Sequence, residues 1–454
     1  MSHPFLENTY HIPWHRLKPE CIQADIELAL QQTQVRLDVI ADTPHDEVTL
    51  ENSLLDLEAA TEDLGRAWGY VSHLDSVNNS AALREAYNAM LPKVSEFYTR
   101  IHLNDKLWGV IKAFAESKEG KSLTGIHKRL LEETLADFRE CGADLPAEKK
   151  KQLEQLNTEL TRQTQKYSEN VLDSTNAWDL LITDESRLAG LPESARDAAR
   201  ESAKLKGHGS DEEPVWRFTL HIPSLLPVMK YAQDDALRRE IWEASTKIGW
   251  TEGHDNSQLI VEILKLRQAK AELLGKKDFA DLVLQRRMAK NGATALAFTE
   301  DLHRRVKPAF SEEIEELENF KAERTGAPRE HLEPWEVAYW SEKLRHARYE
   351  LDEEELRPYF PMPTVITGLY QLVERLFGVR IVQRPTVYTD PESGEETHLS
   401  NDSNTQAPFC PTVEVWHPDV KYYDLLDENS THLGSFFTDW FPRDSKRSGA
   451  WMNH

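Results

Sequence analysis

PTVEVWHPDVKYYDLLDENSTHLGSFFTDWFPRDSKRSGAWMNH, residues 411–454, is the stretch on which the architecture turns. Its first half alternates apolar and polar residues through Val413, Val415, Val420 and Tyr422. It then meets the turn-forming Asp427, Glu428, Asn429 and Ser430 and returns through Leu433, Phe436 and Phe437. Period-two alternation on both sides of such a turn predicts a β-hairpin near 412–441. With the turn over 427–430, His432 is expected opposite Leu425 and His417 opposite about Trp440, eight rungs or roughly 27 Å apart, too far to share a metal ion. The rest of the chain reads as helix after helix, so a strand pair placed this late reads as the opening of a unit over 412–454.

Working back from the hairpin, residues 384–411 lack periodicity and are rich in Pro, Ser, Thr, Asn and acid, which predicts an irregular surface loop. Helical patterns fill 231–383, including 257–274 closed by Gly275 as a C-cap and 294–324 with a dense acidic face, most simply a solvated one. Between 178 and 230 the period shortens: 179–183 and 216–222 read as strands around an Ala-rich helix over 192–206, a small β/α element. The first 177 residues form an N-terminal helical region with patterns over 20–41, from a Thr49 cap towards Trp68, and over 80–104, 105–119, 124–141 and 146–177. Pro92 is expected to end or kink the third of these.

The balance of 54 Lys plus Arg against 78 Asp plus Glu, a formal charge of -24, argues against nucleic acid and anionic membrane surfaces as partners. Cys21, Cys141 and Cys410 are odd in number and lack CxxC spacing, which fits a reducing compartment. No run of eighteen apolar residues occurs and the first fifteen residues lack a basic-then-apolar leader, so a soluble cytoplasmic protein is expected.

Chemistry is harder to find. His11 and His15 stand four apart, but Pro13 lies between them and Ile12 occupies the place of a catalytic Glu, so this is not the zincin helix HExxH. Nucleophile-elbow, P-loop and dinucleotide signatures are absent, and the acidic runs at 312–318 and 352–355 are ordinary for exposed helices and turns. The residues alone assign no catalytic position, no metal ligand and no substrate contact.

Short motifs in fixed order carry a resemblance. They are VSHLDSV at 71–77 with LREAY at 83–87, NVLD at 170–173 with Trp178, IPS at 222–224 and LPVM at 226–229. They continue with LLG at 273–275, PW at 334–335, SEK at 341–343, LRPYFP at 356–361, VWHPDV at 415–420 and GAWM at 449–452. Together they resemble the oligopeptidase A-like branch of the thimet oligopeptidase family of zinc metallopeptidases. The resemblance implies a large, mainly α, channel-forming peptidase-type fold, with 231–383 in a channel wall and 412–454 as a truncated start of the catalytic subdomain. It implies short peptides as substrates and zinc as cofactor, held in the family by two histidines of an HExxH helix and a downstream Glu. No HExxH occurs in residues 1–454, so the chain is expected to bind no zinc by itself, to be inactive alone and to have a separately encoded C-terminal catalytic fragment as its implied partner. It is also expected to expose apolar surface at Trp440, Phe441 and Trp451. The alternative is a non-enzymatic helical module that binds peptides or other partners.

Overall fold

Helical periodicity governs most of the chain in the computed structural model, which describes residues 2–350, 353–391, 393–399 and 412–453. The protein is mainly α and divides into two units. The first comprises Met1–Arg162, Leu266–Lys276 and Ile366–His454, and the second Gln163–Lys265 and Lys277–Val365.

The first unit contains α1 (Pro19–Ala41), α2 (Asp56–Val77), α3 (Ala81–Leu103), α4 (Asp105–Glu116), α5 (Lys118–Ser122), α6 (Gly125–Glu140) and the first half of α7 (Ala147–Asn176). The spacing read in the sequence faces inward: Ile22, Ile26 and Leu37 of α1 are buried, and Leu64 and Val71 of α2 pack with Ile22, Ile26 and Met90 in one core. A second core joins Leu107, Trp108, Ile111 and Phe114 of α4 to Phe138 of α6. Local capping sets the boundaries. Thr49 and Asn52 exchange side-chain and backbone bonds of 2.8 and 3.2 Å just before a π turn leads into α2. Ser80 accepts from the Leu83 amide at 3.2 Å at the start of α3. Ser80→Ala is expected to cost about 1 kcal/mol, read as a lower denaturant midpoint at unchanged slope; an unaltered midpoint would deny the cap its role.

Of the two outcomes expected at Pro92, an end or a kink, the first is not observed: α3 runs through it to Leu103. A proline inside a helix costs about 3 kcal/mol, and burial of Leu83, Tyr87, Met90, Val94 and Ile101 along the same helix outweighs it, since each such side chain contributes roughly 1.5–3 kcal/mol.

The second unit holds the rest of α7, then β1 (Asp179–Ile182), α8 (Glu193–Leu205), β2 (Trp216–Thr219), α9 (Ile222–Tyr231), α10 (Asp235–Ser245) and the start of α11 (Ser257–Leu273). β1 and β2 pair antiparallel, Asp179 opposite Thr219, in the small β element the sequence predicts. Ile182, Trp216, Phe218, Val228, Leu237 and Ile241 form its core. Beyond α11, the Gly275 amide bonds the Glu272 carbonyl at 3.0 Å with φ +74°, the left-handed stop expected there. α12 (Phe279–Leu284), α13 (Gly292–Thr325), α14 (Pro334–Tyr349) and α15 (Glu353–Leu356) follow. Part of the acidic face of α13 is ion-paired: Glu315 and Glu318 meet Arg329 at 2.6 and 2.9 Å, and Glu318 also meets His331 at 2.8 Å.

α16 (Met362–Phe377) leads to the β-rich end of the first unit: β3 (Arg380–Arg384), β4 (Thr386–Thr389), β5 (Glu396–Leu399), β6 (Val413–Val415), β7 (Lys421–Leu426) and β8 (His432–Thr438). The hairpin is present as β7–β8, but Val413–Val415 is not its first arm. It pairs parallel with β4, Thr386 opposite Val413, in a sheet ordered β5-β4-β6, while β3-β7-β8 form the other sheet. The irregular loop expected over 384–411 therefore contains two strands; 400–411 lies outside the described residues. The helical region expected to run to 383 likewise ends in β3. These strands are three to five residues long and mostly polar, so alternation is too brief to register; their pairing supplies the order. The register also differs: Leu426 faces His432 and Leu425 faces Gly434 across a bulge. Asp427 closes the turn by accepting from the Asn429 and Thr431 amides at 2.9 and 2.7 Å, and Ser430 takes φ +64°. Among the described residues no helix is long and apolar enough to cross a membrane.

Candidate functional site

The register of β7 and β8 places Asp424 opposite Ser435, and a polar chain grows from that pair. Asp424, buried at 6 % exposure, is ion-paired with Arg384 of β3, so its charge is compensated on one side. Its other oxygen accepts from Ser435 Oγ at 2.8 Å. Ser435 Oγ in turn accepts from the Tyr10 hydroxyl at 2.9 Å, and His432 Nε2 lies 2.8 Å from Ser435 Oγ and 3.1 Å from the Tyr10 oxygen. Serine, histidine and aspartate thus come together, but in the wrong order for a nucleophile. Activation needs the imidazole to take the hydroxyl proton and the carboxylate to orient the imidazole. Here the carboxylate takes the hydroxyl directly, so the chain braces the strands.

A second cluster lies where the C-terminal segment covers α2. His73 packs edge-on to Trp416 at 4.4 Å and tilted against Trp14 at 5.4 Å, with Nδ1 3.2 Å from Asn453. Burial pushes its imidazole down to about 4; Asp439 works against that shift, and Arg443 and Lys446 add to it. Asp439 bonds Arg443 at 2.7 Å and Lys446 at 3.1 Å. Arg443 Nε donates to the Val77 carbonyl at 3.1 Å, Asn79 donates its amide to the Ser445 carbonyl at 2.8 Å, and Arg447 pairs with Asp75. Residues 439–453 are thereby tied to the C-terminal end of α2.

The histidines singled out in the sequence do not converge on an ion. His15 donates from Nδ1 to Glu414 at 2.6 Å, and His11 packs edge-on to Tyr422 at 5.7 Å; the two share no helix. His417 lies outside the hairpin, in the turn before β7, where Nδ1 accepts from the Asp419 amide at 3.2 Å; the rung count made for it therefore does not apply. Among the described residues no three or more His, Cys, Asp or Glu side chains gather to hold a metal. Among the described residues no set of side chains fits the zinc site of two histidines and a glutamate that the resemblance implies. Tyr10, Asp424 and Ser435 carried no local signal in the sequence: Tyr10 meets partners 422 and 425 positions away.

Comparison with known proteins adds what geometry does not. The profile of Peptidase family M3 matches residues 228–454, and that of the Neurolysin/Thimet oligopeptidase N-terminal domain matches residues 27–150. Oligopeptidase A of Haemophilus influenzae is 37% identical over 458 residues, covering 100% of this chain and 62% of that protein. Oligopeptidase A of Salmonella typhimurium and of Escherichia coli are each 35% identical, over 460 and 463 residues, with the same two coverages. The chain therefore spans about three fifths of the length of these relatives.

Proposed function

The chain belongs to peptidase family M3, and from that membership we propose that it is the peptide-admitting part of a zinc-dependent oligopeptidase, working in the cytoplasm on short peptides. The observation that carries this reading is the similarity to oligopeptidase A along the whole chain at 37% identity. Hydrolysis in this reading depends on a zinc-ligand segment that residues 1–454 do not contain, since HExxH is absent from them. The supplier of that segment is the implied partner, and the three cysteines without pairing spacing support a reducing compartment.

Peptide admission is testable without catalysis. Fluorescently labelled unstructured peptides of about ten residues, long enough to exploit backbone contacts without a folded core, are expected to bind the purified chain saturably, and a labelled folded domain is expected not to. Equal binding of both, or of neither, would overturn the reading.

A further inference from the structure

Residues 2–18 lie outside both matched regions, 27–150 and 228–454, yet they touch the β7–β8 hairpin. At one end, the Phe5 amide donates to Asp25 at 2.9 Å, His3 Nδ1 meets the other Asp25 oxygen at 2.8 Å, and Phe5 is fully buried. At the other, Trp14 is buried against Trp416 at 4.9 Å and Phe437 at 6.0 Å. Between these anchors Arg16 grips Glu7 bidentately at 2.6 and 2.5 Å, closing residues 7–16 into a loop. Two ties run from that loop to the strands. Tyr10 reaches Ser435 and His432 on β8, and His15 gives both its backbone amide, at 3.2 Å, and its Nδ1 to Glu414 on β6. β8 is an edge strand among the described residues, bonded to β7 on one side.

We propose that residues 7–16 form a clip with one tie on the edge strand β8, through Tyr10, and one on β6, through His15, and that loosening both frees β8 while the helical cores stay folded. An edge strand with one neighbour opens readily, because half of its backbone groups face away from the ladder. Tyr10 supplies side-chain bonds to β8 where that second neighbour is lacking, and His15 anchors the same loop to β6. Tyr10 is itself 61 % exposed, so the tie is accessible to whatever approaches this surface. The proposal stands apart from the peptidase reading, since it concerns β8 whether or not a peptide is cut.

Hydrogen exchange of the full chain tests it, with Tyr10→Phe, His15→Ala, the double variant and Glu414→Gln compared with the parent. Loss of two partly exposed ties is expected to speed exchange of residues 432–438 by about 10-fold in the double variant and less in each single one. Residues 105–140, in the separate α4–α6 core, are expected to be unchanged, and Glu414→Gln, which keeps an acceptor for His15, is expected to stay near the parent. Unchanged exchange in β8 of the double variant would overturn the clip. So would faster exchange spread equally over 105–140, because Tyr10 and His15 would then be general stabilisers.

Discussion

Short peptides are expected to remain uncut by the purified 454-residue chain and to be cleaved, in a zinc-dependent manner, once it is mixed with a polypeptide spanning the remaining two fifths or so of the length of oligopeptidase A. The expected gain is at least about 10⁶-fold over the chain alone, the lower range of enzymatic acceleration. A catalytic zinc needs three protein ligands and an open position for water, and it serves hydrolysis by lowering the pKa of that water. No HExxH occurs in 1–454, and His15, His417 and His432 are each committed to other partners. Leu369, Leu372 and Leu376 recur along α16, all at least 46 % exposed, and Trp440, Phe441 and Trp451 lie exposed after β8, as the sequence leads one to expect. Apolar groups recurring at helical spacing on a surface commonly mark an interaction site. Cleavage by the chain alone would contradict the need for a second segment. Silence of the mixture, with both components folded, would instead favour a peptide-binding module.

The second large effect is on stability against pH. His73 is neutral in the fold, with its imidazole pushed down to about 4 by burial, and titrates near 6.5 once unfolded. In that window the unfolded state binds the extra proton, so stability is intact above about pH 6.5 and is lost as pH falls towards 4. The loss amounts to about 3 kcal/mol, at up to about 1.4 kcal/mol per pH unit. The charged groups that act on His73 are Asp439, Arg443 and Lys446, and together they do not offset the cost of burying an imidazolium. Replacing it with a non-titrating residue, His73→Gln, should flatten that part of the pH profile even if the variant is less stable at pH 7. Parallel profiles from pH 7 to 4 for parent and variant would refute the assignment. Asp439 does not blur the window. Burial opposes the ionised form, but the bonds from Arg443 and Lys446 prevail and hold its carboxyl below the usual range, so its contribution is lost only at lower pH.

Features that depend on neighbours within about one helical turn were legible in the sequence. The 3.6-residue period of Ile22 and Ile26, the Thr49 cap, the Gly275 stop and the strand pair flanking residues 183–215 were all readable, because backbone propensity, capping and short-range amphipathicity are local. The family resemblance was readable too, through short motifs in order. Which segments pair across distance became visible only in the folded chain. Val413 to Val415 looked like a hairpin arm and became a parallel partner of β4, because a three-residue strand carries too little alternation to choose between neighbours. The acidic face of α13 is largely exposed, but at Glu318 Arg329 and His331, on the loop after it, come back to meet it. Tyr10 became a partner of β8, and His73 a half-buried neutral base beneath residues 439–453, through contacts whose partners lie hundreds of residues away. Such contacts form only when the cores have already packed, and no local pattern encodes them.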